Sequence, residues 1–236
     1  MRKVEVLRAE SLSPSVRSLV LACADGAPLQ YLPGQWINLQ LDCAGVLDKR
    51  PYSIASAPSA EHPERFEIAV TRVDPGRVSQ SLHALQPGAV LELDGPYGFF
   101  SREGLEQEPT LLVGTGTGVS PLRAMIEAEL GSRADGPPLT LLFGCRTRDD
   151  LLYAGELEAL AQAHPRFVYE PTLSRADDAW AGRRGYVQTH VAELVSTLGR
   201  PHVFVCGLSD MVNEVRVLLK ETLGYDRKHI HTERYD

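Results

Sequence analysis

The chain has no pair of cysteines close enough in sequence to share a metal or bind a cluster. Its four cysteines, Cys23, Cys43, Cys145 and Cys206, stand far apart, with no C-x-x-C spacing, which excludes a zinc or iron–sulfur site built on such motifs and predicts free thiols. It also lacks a surplus of positive charge. A formal net charge of -7 argues against an extended nucleic-acid surface, although a local arginine group could still take a small anion. No stretch approaches the roughly 20 apolar residues of a membrane span, and the opening Met1-Arg-Lys-Val-Glu-Val has no apolar run of a secretory signal. The expectation is a cytoplasmic protein without a membrane span. Low-complexity tracts and internal repeats are absent as well.

What the chain does have is apolar material, 43% of 236 residues, enough to bury two cores of ordinary size. Up to about residue 100 it reads as strands: Val4 to Arg8, Val16 to Ala22, Gln35 to Leu41, Tyr52 to Ala55, Phe66 to Arg72 and Val90 to Leu93, short and bounded by Pro or Gly. One helix is predicted among them, Val78 to Leu85, stopped by Pro87-Gly88. An antiparallel barrel follows. The charged stretch Ser101 to Pro109 is the expected linker.

From Thr110 the period changes. Leu111 to Val113 leads into a helix over Pro121 to Leu130, Leu139 to Phe143 precedes Leu151 to Ala163, Phe167 to Tyr169 precedes Val187 to Leu198, and Val203 to Val205 precedes Met211 to Leu223. Continuous apolar strands alternating with amphipathic helices predict a parallel sheet covered on both faces, with ligands at the carboxyl ends of its strands. The predicted architecture is therefore two domains, an antiparallel β-barrel over residues 1–103 and an α/β parallel-sheet domain over residues 109–236.

Gly114-x-Gly116-x-Gly118 lies between a buried strand and a helix, where backbone N–H groups can face a pyrophosphate. The third glycine comes one residue early for G-x-G-x-x-G, and Cys145-Arg146 stands where an acidic ribose partner is expected. From this motif alone, a bare strand-to-helix turn is an equal reading. Arg50-Pro51-Tyr52-Ser53 places a cation, a ring and two hydroxyls within one short strand, which suits phosphate, ring face and ring edge of one long ligand. Such a tetrapeptide is on its own more often an exposed strand start. Gly76-Arg77-Val78-Ser79, a second helix N-terminus behind a strand, tips the balance toward a ligand.

Taken in order, Arg50-Pro-Tyr-Ser-Ile-Ala-Ser, Gly76-x-x-Ser79, Gly95-Pro-Tyr-Gly98, Gly114-Thr-Gly-Thr-Gly-Val-Ser-Pro121, Cys206-Gly207 and Glu233-x-Tyr235 resemble the ferredoxin–NADP reductase superfamily along nearly the whole chain. The resemblance implies a barrel that binds FAD, a following domain that binds NAD(P)H, and hydride transfer where they meet. It implies Arg50 on the FAD pyrophosphate, Tyr52 along the flavin and ribityl chain, Ser53 near flavin N5, and Gly76, Val78 and Ser79 holding the pyrophosphate through the helix N-terminus. Gly114 and Gly116 would face the nucleotide and Thr117 would sit between the cofactors. Cys206, followed by Gly207, would lie beside the nicotinamide, Glu233 would be the carboxylate near the reacting centre, and Tyr235 would cover the flavin face. Ser53, Cys206 and Glu233 are the expected catalytic residues.

Ser174-Arg175 and Arg184-Gly-Tyr186-Val-Gln188, with Arg146 and Arg148 after the preceding strand, supply guanidinium, hydroxyl and ring for a 2'-phosphate and adenine. They also resemble the family's NADP-selecting segment. The competing reading is a solvated loop in which Arg175, Arg183 and Arg184 balance Asp177 and Asp178. The expected nucleotide is NADPH and the expected acceptor a small carrier protein, ferredoxin or flavodoxin. A flavin reductase, an oxygenase reductase component and a non-catalytic nucleotide-binding subunit are the alternatives. His202, His229 and His231 are not expected to form a metal site, and the latter two are expected at the surface of an edge strand.

Overall fold

A computed structural model describes residues 1–42 and 45–235; Cys43 and Asp236 therefore lie outside the described residues. The first half forms one antiparallel sheet of β1 (Arg2–Ser11), β2 (Val16–Cys23), β3 (Trp36–Asp42), β4 (Leu47–Ser53), β5 (Arg65–Thr71) and β6 (Val90–Tyr97), in the order β4-β3-β6-β1-β2-β5. The edge strands β4 and β5 meet again through a bridge between Ile54 and Ile68, which closes the sheet into a barrel. Alternation explains the core: Ile37, Leu39 and Leu41 point inward from β3, where they meet Val4, Val6, Leu19, Leu21 and Phe66. Helix α1 (Arg77–Ala84) plugs one end with Val78 and Leu82.

The second half is a parallel sheet of β7 (Thr110–Thr115), β8 (Leu139–Cys145), β9 (Phe167–Leu173), β10 (Arg183–Arg184), β11 (His202–Leu208) and β12 (Ile230–Tyr235), in the order β10-β9-β8-β7-β11-β12. It is covered by α2 (Val119–Ser132), α3 (Ala154–Ala163), α4 (Val191–Thr197) and α5 (Ser209–Val217). One apolar cluster fills the α2 and α3 face and another the α4 and α5 face, as expected of strands buried on both sides. The order reverses between β7 and β11, so the carboxyl ends of these two strands mark the crevice of an open α/β sheet.

Two expectations shift, and one strand is new. Strand β4 begins at Leu47, not at Tyr52, because its outer residues pair with β3 while remaining exposed and so carry no hydrophobic alternation. The helix expected from Val187 opens as a single tight turn before α4. Two-residue strand β10 is too short to leave a pattern. The stretch expected as the linker is pinned to the α/β domain: Arg102 within it is 8% exposed and lies 3.3 Å from Glu129 of α2. Among the described residues no helix is long and apolar enough to cross a membrane.

Candidate active site

A cleft of about 1830 Å³ runs between the barrel and the α/β domain, roughly twice the upper size of a pocket for one small ligand, about 1,000 Å³. From the barrel it is lined by Arg50, Tyr52, Ser53 and the start of α1; from the sheet, by Thr115, Gly116, Thr117 and Ser120. The tail adds Glu233 and Tyr235. Most of the residues expected from sequence thus converge, although Ser53 and Glu233 are 180 positions apart.

At the centre Ser53 Oγ donates to Glu233 Oε1 at 3.2 Å. Ser53 ends β4 and Glu233 sits in β12 opposite Cys206, so the contact joins the two domains. Burial pushes the Glu233 carboxyl up to about 7, opposed by the Ser53 hydrogen bond. The pair can therefore hold or release a proton near neutrality. Thr117 and Thr71 approach across the same interface, hydroxyl to hydroxyl at 3.4 Å.

Cys206 is fully buried. Its thiol donates to the Tyr235 hydroxyl at 3.7 Å, and burial holds it well above the usual thiol range, so it is a neutral thiol and not a thiolate nucleophile. It does not line the cleft; Tyr235 does, and stands in front of it. Gly118 packs on the Cys206 carbonyl and Gly207, at φ +152°, packs on the Thr115 hydroxyl, both too close for any Cβ. These glycines bring the two strand ends together. Gly114 is likewise a packing residue, since a Cβ there would meet Leu122 at 2.9 Å, whereas Gly116, with φ +55° and open space around it, faces the cleft.

At the barrel end, the Val78 side chain belongs to the core and the Ser79 hydroxyl is engaged with Val73 N and Gly76 O, both at 3.0 Å. What α1 offers is backbone: its first helical bond is Gln80 N to Gly76 O, so the N–H groups of Arg77, Val78 and Ser79 precede the helical ladder. Arg50 and Arg77 flank Asp48 at 3.5 and 3.4 Å. Asp48 holds two cations at the cleft mouth and was not anticipated, because a lone acidic residue on an exposed strand has no distinctive spacing.

The arginines expected at the far end divide. Arg184 donates to the carbonyls of Ala176, Asp177 and Trp180, and Arg148 to that of Ala179 while lying over the Trp180 ring. Both brace the 176–180 loop, which corrects the expectation for Arg184: it does not line the cleft. Arg183 is likewise absorbed by Glu170 and Glu193, each at 2.8 Å. Arg146 and Arg175 are exposed and line the cleft with Ser174, Tyr186 and Gln188; a backbone bond from Arg175 N to Arg146 O keeps them adjacent. Gln188 is oriented by Glu214. The histidine expectation also needs correction. His231 is half-buried, stacked on Phe204 at 4.2 Å and bonded to His202 at 3.0 Å.

Two buried hydroxyls lining the cleft, Thr115 Oγ1 and Ser120 Oγ, have no protein partner. Unsatisfied donors at a strand-to-helix turn fit a polar ligand there.

Comparison with known proteins agrees. The oxidoreductase FAD-binding domain matches residues 3–101 and the oxidoreductase NAD-binding domain residues 112–217. The chain is 50% identical over 231 residues to ferredoxin–NADP reductase B of Sorangium cellulosum, covering 95% of this chain and 93% of that protein. It is 33% identical to a glycine betaine monooxygenase reductase subunit of Chromohalobacter salexigens, over 87% of this chain but 56% of that longer protein. The FAD/NAD-binding domain of nitric oxide dioxygenase from Vibrio cholerae superposes with a TM-score of 0.87 at 27% identity, covering 99% and 98% of the two chains. The chain belongs to the ferredoxin–NADP reductase superfamily of FAD- and pyridine-nucleotide-binding oxidoreductases.

Proposed function

We propose that this chain is a ferredoxin–NADP reductase that moves hydride between NADPH and FAD and passes single electrons to a small carrier protein, a ferredoxin or flavodoxin. The observation that carries the reading is the Ser53–Glu233 hydrogen bond at the meeting of two cofactor domains. The name of the 50% identical relative supports the acceptor class. FAD, when bound, supplies the chemistry of a carrier that takes a hydride as a pair and releases electrons one at a time.

The residues fit that cofactor pair. Arg50, with Arg77 and the free N–H groups of α1, would hold the FAD pyrophosphate, and Tyr52 would lie along the flavin. Ser53 would orient the reacting edge, and Glu233, titrating near 7, would exchange a proton with the Ser53 hydroxyl. Thr115, Gly116, Thr117 and Ser120 would hold the nucleotide diphosphate and nicotinamide ribose. Tyr235 occupies the place in front of Cys206, so entry of the nicotinamide to that thiol would require Tyr235 to move. Arg146 and Arg175, both exposed and lining the cleft, would bind the 2'-phosphate of NADPH beside Tyr186, which is 66% exposed.

The test is the visible spectrum of the purified protein, anaerobically, before and after one equivalent of NADPH. Flavin absorbance that survives desalting and bleaches promptly is expected. A colourless protein would defeat retained FAD, and a yellow protein bleached by NADH but not NADPH would defeat the nucleotide assignment.

A further inference from the structure

Away from the cleft, Arg123 of α2 is 7% exposed and reaches from the α/β domain into the barrel. Its Nη1 donates to the Ala55 carbonyl at 2.7 Å and to Glu67 Oε2 at 3.2 Å, both barrel residues. Its other nitrogens bind Glu156 at 2.8 Å and Glu127 at 2.7 Å within its own domain. Glu127 accepts in turn from Ala57 N at 2.7 Å. Tyr153 lies under the guanidinium at 4.3 Å and donates to Glu67 Oε1 at 3.0 Å, and Ser18 binds the same oxygen.

Three features set this cluster apart from an ordinary ion pair. One arginine is surrounded by three carboxylates, an arrangement that well-packed apolar residues would often replace without loss of stability. Tyr153 holds φ +57°, an uncommon left-handed conformation for a bulky residue, while its ring and hydroxyl both serve the cluster. Finally, the part of the barrel being gripped is the segment that carries Ser53. Ile54 N bonds to Gln35 O at 2.9 Å and Ala55 N to Glu67 O at 2.7 Å within the barrel, and the Ala55 carbonyl and Ala57 N bond to Arg123 and Glu127 of α2, so residues 54, 55 and 57 are each tied down just beyond Ser53. That helix opens at Val119, directly after the turn that carries Thr117.

We infer that Arg123 is a positioning residue for hydride transfer, fixing Ser53 relative to the nucleotide loop by binding the Ala55 carbonyl and Glu67 across the domain interface. The inference rests on the proposed function. A short rigid path, from Ser53 through Ala55 and Arg123 to the N-terminus of α2, couples the flavin-side and nucleotide-side groups. Because misplacement by about 1 Å can cost on the order of 10²-fold in rate, loosening the path slows transfer while leaving each cofactor's own contacts in place.

Arg123→Lys tests it in the FAD-loaded protein. Lysine keeps the charge among the carboxylates, but one ammonium cannot span Ala55 and Glu156 as the guanidinium fork does. The expected result is at least a tenfold slower anaerobic reduction of FAD by NADPH, with NADPH affinity within twofold. Without nucleotide, the amides of Ile54, Ala55 and Ala57 should exchange faster while the rest of the barrel is unchanged. A rate within twofold of the parent, or slow transfer without faster exchange at residues 54–57, would overturn the inference. If Arg123→Lys does not retain FAD, Glu67→Gln carries the same test, with a several-fold loss expected and parental rates and exchange overturning it. A parent protein that NADPH does not reduce would defeat the functional reading alone, since the exchange comparison still judges the clamp.

Discussion

Replacing Glu233 by Gln separates its role from every other group titrating near neutrality. Burial moves its carboxyl from 4.5 to about 7, which corresponds to about 3 kcal/mol against the ionised form. A carboxyl raised on folding contributes stability that is fully present below 4.5 and is lost as pH rises through 7. The Gln side chain has no such dependence. The unfolding free energy of Glu233→Gln minus that of the parent should therefore increase by up to about 3 kcal/mol between pH 4.5 and 7 and stay level above. Glu127 is also raised to about 7, but it is common to both proteins and cancels in the difference. Denaturant unfolding of the flavin-free forms at closely spaced pH values measures this, and the pH profile of NADPH-driven turnover with an artificial acceptor measures the function. The parent should show an inflection near 7 that Glu233→Gln lacks. Parallel stability curves together with a retained inflection would refute both the buried carboxyl and its part in proton exchange.

Ser53→Ala should slow anaerobic FAD reduction by an order of magnitude or more while flavin stays bound; an unchanged stopped-flow rate would remove Ser53 from the mechanism. Arg146→Ala with Arg175→Ala should lower kcat/KM for NADPH by about 10- to 100-fold per charged hydrogen bond lost and leave NADH unaffected, whereas Arg184→Ala, which loosens the 176–180 loop, should affect the two nucleotides alike. Steady-state kinetics with both nucleotides distinguishes these outcomes. His231 is pushed down to about 4 by burial beside His202 and His229, so its contribution is present above 6.5 and lost as pH falls through 4. His231→Phe keeps the stack on Phe204, and the loss of melting temperature between pH 7 and pH 5 should shrink; an identical acid limb would show that another group governs it.

The features legible in the sequence are those whose physics is local. A strand-to-helix turn needs small residues where Gly118 meets the Cys206 backbone, and that requirement leaves a spacing that can be read. The same holds for Gly76, where a Cβ would meet Val73 O at 2.7 Å and Ser79 Oγ at 2.8 Å, and for the alternating core of β3. Residue type alone was less informative among the arginines. Arg146, Arg148, Arg175, Arg183 and Arg184 look equivalent in sequence, yet three are engaged with loop carbonyls or neighbouring carboxylates and two face the cleft. Which is which depends on where the 176–180 loop folds back.

The Arg123 cluster marks the limit of such reading. Its partners Ala55, Glu67 and Glu156 lie 68, 56 and 33 positions away, so no window of sequence contains them. Within α2, Arg123 and Glu127 look like an ordinary surface i,i+4 pair, which is worth only about 0.2–0.5 kcal/mol in an isolated helix. Their burial follows from docking α2 against the barrel, where Val16 and Ala69 join Val119 and Leu122 in one apolar cluster. That apolar contact has no direction of its own, and two smooth surfaces could slide across one another. Charge-assisted hydrogen bonds to a backbone carbonyl and a carboxylate do have direction. The apolar cluster therefore brings the domains together, and the buried arginine, with Tyr153 on Glu67 and Glu127 on Ala57 N, gives that contact a direction.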